Sequence, residues 1–138
     1  MLPKGPAPGS PEDWLRHANS DLEIARSAKS KRVLLEQLCF HAQQAAEKAI
    51  KAVLVSRGIS VPKTHNIKLL IGLLAEDIEL TIPLLESPIL SDYSVTGRYP
   101  GDVEPVSKAE HRHAVELAES VVRWAEGAIV SASQTKQE

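Results

Sequence analysis

Apolar residues recur along this chain at helical intervals, most densely in residues 33–57, VLLEQLCFHAQQAAEKAIKAVLVSR. At about 100° per residue, Leu34, Leu38, Ala42, Ala45, Ala49, Ala52 and Val53 fall on one side of a helix. Leu35, Ala46 and Ile50 widen this arc to nearly half the circumference, which predicts a helix packed against more than one neighbour. The alanines let another helix approach closely, and Gly58 is placed to close the helix in the left-handed conformation. Phe40, Gln44, Glu47 and Lys51 run down its flank. This helix is expected at the middle of an α-helical bundle.

The rest of the chain carries the same period. Residues 1–10 are rich in Pro and Gly and predict a disordered lead-in. Ser10 as N-cap, Pro11 at the first helical position and Glu12 and Asp13 in the first turn then start a helix expected to reach about Ala28. Its stripe is Trp14, Leu15, Ala18, Leu22 and Ala25, with Asp21 close by, either solvated or in a polar contact between helices. After the loop ISVPKTHNI, Thr64 or Asn66 can cap a third helix built on Ile67, Leu69, Leu70, Ile71, Leu73 and Leu74. Pro83 suits the first turn of a fourth, running to about Tyr93. Pro88 predicts a kink or break inside it, because an interior proline costs about 3 kcal/mol.

A loop rich in Gly and Pro, residues 94–106, leads to Ser107-Lys108-Ala109-Glu110, a capping box. The last helix carries Ala114, Val115, Leu117, Ala118, Val121, Val122, Ala125 and Ile129 and is expected to end near Val130. The pattern predicts one all-α domain over 11–131, a compact bundle of four or five helices, followed by a frayed polar tail over 132–138. No strand pattern of period two and no internal repeat is visible.

Composition narrows the picture. With 43% apolar and 25% charged residues the chain is an ordinary globular one, and 4% aromatics leave the core to Leu, Ile, Val and Ala. A net charge of −2 excludes a strongly basic nucleic-acid coat but not a local basic patch. The lone Cys39 lies on the apolar side of its helix and reads as a small buried hydrophobe. No apolar run is long enough to cross a membrane and the start lacks a signal core, so the expected location is the cytoplasm.

Familiar catalytic constellations are missing: no glycine-rich phosphate loop, no Cys/His zinc spacing, no serine nucleophile motif. Neither a metal nor a cofactor is implied. His111 and His113 point about 200° apart on a helix, poor partners for one ion, and read as solvated first-turn histidines. Three features carry more chemistry. Lys51 and Glu47 form an i,i+4 pair, either a simple helix ion pair or part of a site. His65, in Lys63-Thr64-His65-Asn66, stands at a helix start where backbone N–H groups can hold an anion. Arg98 and Tyr99, between Gly97 and Gly101, can offer a phosphate fork and a stacking ring.

Taken in order, CFHAQQAAEKAIKAVLVSRG (39–58), PKTHNIKLLIGLL (62–74) and RYP (98–100) resemble the HEPN domain family from about Trp14 to Ala128. The resemblance implies an all-α up-and-down bundle, commonly a homodimer. Similar members accompany a small nucleotidyltransferase in toxin–antitoxin-like modules; some are proposed to bind nucleotides and others are metal-independent ribonucleases. On this basis the chain is expected to be a binding and assembly protein with Lys51, His65, Arg98 and Tyr99 as ligand-binding residues. Glu47 and Asp21 would orient the basic groups, and the ligand would be a nucleotide or RNA phosphate. An RNA-cleaving toxin and a purely structural bundle are the alternatives. The ribonuclease signature is an arginine, four to six intervening residues and a histidine, pairing charge stabilisation with proton transfer. Here Arg57 and His65 have seven residues between them, Arg32 and His41 have eight, and Arg98 stands thirteen positions before His111.

Overall fold

The computed structural model describes residues 5–27, 31–94 and 105–137, with side chains through Ser131. In chain order the helices are α1 (Pro11–Arg26), α2 (Leu35–Ser56), α3 (Ile67–Gly72), α4 (Ile82–Glu86), a 3₁₀ helix (Ser87–Tyr93) and α5 (Lys108–Gln137). No strand occurs among the described residues, so the all-α bundle expected from the pattern is what forms.

α2 lies between α1 and α5. Its alanines at 42, 45, 46, 49 and 52 are fully buried, together with Leu38, Ile50, Val53 and Leu54. Methyl side chains on that arc let α1 and α5 approach from two directions, which explains why the apolar face is so wide. α1 contributes Ala18, Leu22 and Ala25, and α5 contributes Ala114, Leu117, Ala118, Val121, Val122 and Ala125. α1 runs antiparallel to α2: Trp14 lies near Lys51, whereas Asp21 reaches His41 and Lys48.

Several ends obey their predicted chemistry. The Ser10 hydroxyl accepts from the Asp13 amide at 3.1 Å. Gly58 adopts φ 73° and closes α2 in a Schellman arrangement, Ile59 N–H to Leu54 C=O and Gly58 N–H to Val55 C=O, both at 3.0 Å. α3 is capped by Asn66, whose side chain accepts from Leu69 N–H, while the Thr64 hydroxyl accepts from Asn66 N–H.

The fourth helix breaks where Pro88 predicted: α4 gives way at Ser87 to a 3₁₀ helix with Pro88 in its first turn, where a missing N–H leaves no bond unmade. Other ends differ from expectation. The capping box before α5 is half closed. Ser107 accepts from Glu110 N–H at 3.0 Å, but the Glu110 carboxylate turns away to accept from the Tyr93 hydroxyl at 2.9 Å. α5 continues to Gln137 rather than ending near Val130, because no Gly or Pro after Gly127 interrupts it. No described helix is long and apolar enough to cross a membrane.

Candidate functional site

The polar flank of α2 folds into a buried cluster centred on Glu47. The Glu47 side chain is 3% exposed, and its Oε2 accepts from Lys51 Nζ at 2.8 Å, one turn along the same helix. Its Oε1 accepts from Gln43 Nε2, and from His65 Nδ1, both at 2.9 Å. Gln43 also accepts at its own Oε1 from Gln44 at 2.7 Å, so the ladder has no slack. The Lys51 ammonium, 8% exposed, lies 5.6 Å from the centre of the Trp14 ring. One buried carboxylate thus meets one buried cation and a histidine delivered from the loop after Pro62.

That geometry fixes the chemistry of His65. A carboxylate only accepts, so Nδ1 carries the proton and Nε2 is left without a partner among the described residues. The side chain is 61% exposed and lines an open cleft of about 620 Å³. Lys63, Lys68, Thr64, Ser91 and Ser94 share the wall, and no acidic residue lines it among the described residues. The cleft therefore presents cations and hydroxyls around a histidine whose other nitrogen is anchored in the core. Two of the backbone N–H groups at the start of α3 are already taken and are not free to cradle the anion anticipated from the sequence. The Ser91 hydroxyl accepts from Ile67 N–H at 3.2 Å, and Asn66 takes Leu69 N–H.

A second cluster joins α1 to α2. Asp21, 11% exposed at its side chain, accepts from His41 Nδ1 at 2.8 Å and from Lys48 Nζ at 2.6 Å. This is the polar contact between helices that its position beside the apolar stripe allowed. Both clusters follow one plan, a carboxylate shared by a lysine and a histidine Nδ1.

Of the residues singled out from sequence, Lys51, Glu47 and His65 meet around one carboxylate. Asp21 serves the separate His41–Lys48 cluster and does not touch Lys51. Lys51 itself is turned to Glu47 and Trp14 and does not line the cleft. Arg98 and Tyr99 lie outside the described residues. His111 is not solvated: its Nε2 donates to the Ala25 carbonyl at 2.7 Å, where the end of α1 leaves an acceptor free. His113 is exposed, as expected. Cys39 is fully buried among apolar side chains. No group of side chains able to hold a metal ion occurs among the described residues.

Sequence reasoning gave no site role to Gln43, Trp14, His41 and Lys48, nor to Lys68 and Ser91, and named Lys63 only as part of the motif around His65. Gln43 carried a signal. It sits about 20° from Ile50 on the helical wheel, a polar residue at the edge of the buried arc, and one turn before Glu47. Ser91 carried none, since a 24-residue separation joins it to Ile67 only in the folded chain.

The HEPN domain family model matches residues 11–128, from the first residue of α1 well into α5. The solved structure of TT1696 from Thermus thermophilus is 28% identical, with 87% of this chain and 98% of that chain aligned at a TM-score of 0.75. ST0689, described as an archaeal HEPN homologue, is 32% identical over the same shares of the two chains, at a TM-score of 0.68. No curated protein matches the chain. With the family model spanning the bundle from α1 to α5, and an identified HEPN homologue sharing its fold almost end to end, the chain belongs to the HEPN domain family.

Proposed function

We propose that this HEPN protein is a binding and assembly module whose cleft beside α3 holds a phosphate group of a nucleotide or RNA. One observation carries this reading. His65 is fastened through Nδ1 to the buried Glu47, leaving Nε2 free in a cleft walled by Lys63, Lys68 and hydroxyl groups. Lysines act there as point charges for phosphate, hydroxyls donate hydrogen bonds, and a preoriented ring adds a directed donor when protonated. Glu47 and Lys51 cancel each other's charge beneath the ring, so the cleft's own lysines set its sign. Arg98 and Tyr99 extend the same reading as phosphate fork and stacking ring.

The test is calorimetric titration with AMP, ATP and a short single-stranded RNA. Lys63→Ala, Lys68→Ala and His65→Ala are each expected to weaken binding about tenfold, which is about 1.4 kcal/mol. Arg98→Ala is expected to do the same. Unchanged affinity in all four variants would remove the cleft from consideration.

The assembly part of the proposal is a homodimer that partners a small nucleotidyltransferase in a toxin–antitoxin-like pair. Co-expression with such a protein encoded beside it is expected to yield a complex that survives gel filtration. A second reading, RNA cleavage without metal, rests on the same ring. A carboxylate-held histidine with a free Nε2 is also the arrangement of a general base, with Arg98 then stabilising the phosphorane. Incubation of RNA in chelator separates the two. Cleavage lost in His65→Ala supports the enzyme, and intact RNA with retained binding supports the binding module.

A further inference from the structure

Every permanently charged side chain lining the cleft beside α3, among the described residues, is a cation: Lys63 and Lys68, with His65 between them in the chain. An ammonium offers three N–H donors and no acceptor. The Thr64 hydroxyl accepts from Asn66 N–H at 3.1 Å and keeps its own hydrogen for a further bond. Glu47, behind the His65 ring, is neutralised by Lys51 at 2.8 Å and does not oppose these charges. Such a wall gains most from the anion that puts the most charge and the most acceptors into one small group. A phosphomonoester carries about −1.5 to −2 charge at pH 7 on three terminal oxygens, whereas a phosphodiester within a strand carries one charge on two.

The surroundings separate a strand's end from its interior. An interior phosphate leaves the cleft on both sides, and single-strand binders meet it with a continuous basic groove and successive aromatic rings. No aromatic ring lines this cleft among the described residues, and its cations come from α3 and the loop before it alone. The facing wall is the 3₁₀ helix, tied to α3 where Ile67 N–H donates to the Ser91 hydroxyl at 3.2 Å. Past Pro88 of that wall the surface turns to hydrocarbon, with Leu85 and Ile89 each 54% exposed. A polyanion gains nothing by running over it. One charged station with an apolar shoulder fits a chain end.

The same lining does not read a base. Asn66 has its amide oxygen turned to Leu69 N–H at 3.1 Å, away from the paired donor and acceptor grip by which an amide holds a base edge. Stacking on Tyr99, as proposed above, tolerates every base because each has a π-face. We infer, resting on the reading that this cleft holds phosphate, that its ligand is a terminal phosphomonoester, the 5′-phosphate of a mononucleotide or of an RNA end, taken without regard to the base.

Calorimetric titration of the full-length chain tests this with two matched pairs. AMP is compared with cyclic 3′,5′-AMP, which keeps the base and sugar but holds a diester, and a 5′-phosphorylated short RNA with its 5′-hydroxyl form. Each monoester is expected to bind at least about tenfold more tightly than its counterpart. GMP, CMP and UMP should match AMP within about threefold, and inorganic phosphate should displace it. Equal affinity for AMP and the phosphorylated RNA assigns the site to the mononucleotide, and a much tighter RNA assigns it to the strand end; either bears out the monoester. Lys63→Gln and Lys68→Gln, both at exposed positions, should narrow the ratio of AMP to cyclic AMP affinity with helical circular dichroism unchanged. Diesters that bind as well as their monoester partners, yet weaken in Lys63→Ala and Lys68→Ala, would overturn the inference and leave the phosphate cleft standing. A ratio unmoved in both glutamine variants, or a base preference above about tenfold, would also overturn it. If none of these compounds binds, the cleft and the inference fall together.

Discussion

Glu47 accepts hydrogen bonds from Gln43, Lys51 and His65, and removing it differs in kind from removing any one of them. Glu47→Ala leaves the Lys51 ammonium buried without a counter-charge, which is expected to cost about 3–5 kcal/mol in urea unfolding. Adding Lys51→Met to that background should recover a large part of the loss, because the stranded charge goes with it. A recovery of nothing would mean that Lys51 finds water. Asp13 shows the opposite situation, at the surface. The backbone N–H of Gly9, and then the guanidinium of Arg16, hold its carboxyl below the usual carboxylate range. A lowered folded-state value means that Asp13 stabilises above the ordinary carboxylate pKa and that this contribution is lost as pH falls through the lowered value. The Tm of Asp13→Asn should therefore lie below the parent's at neutral pH and converge with it in acid. At this scale the sequence was legible where partners are one helical turn apart. Glu47 and Lys51 were visible as i,i+4 neighbours, whereas the Glu47–His65 bond spans 18 residues and depends on how the loop after Pro62 returns.

The helices themselves were legible because periodicity over many residues averages out local exceptions, and their ends were not. α2 is the clearest case: its apolar arc, its alanines and its closing glycine all point the same way, and the structure places it centrally. Gly58 has φ 73°, and a Cβ there would touch nothing within 4 Å. Gly58→Ala should therefore cost only the strain of the left-handed conformation, about 1 kcal/mol. A loss several times larger would show that the Schellman turn itself had come apart. Elsewhere the ends were decided by contacts that sequence spacing does not encode. Glu110 had the right spacing to complete a capping box, yet the Tyr93 hydroxyl claims its carboxylate. The tail after Val130 was polar enough to suggest fraying, but polarity does not break a helix; a proline or a glycine would have been needed.

At the scale of the whole molecule, the bundle closes its core but leaves an apolar row exposed among the described residues. Ile82, Leu85 and Ile89 are 72%, 54% and 54% exposed, and they follow one another at intervals of three and four along α4 and the 3₁₀ helix. Leu84 and Leu90, from the same stretch, are fully buried, so the segment is apolar on its exposed side as well as on its buried one. Scattered surface leucines need no explanation, whereas an aligned row is the kind of surface that association covers. The proposed homodimer has this row as its natural contact, since a two-fold axis would set each copy's row against the other's. Light scattering after gel filtration should then give a mass about twice the 15.0 kDa of one chain. Ile82→Glu with Leu85→Glu should reduce it to the monomer value without loss of helical circular dichroism, because neither side chain serves the core. Retention of the double mass in that variant would move the two-fold contact to another face. A monomer mass for the parent would leave the row to a different protein, and a small nucleotidyltransferase would be the first to try in the same column.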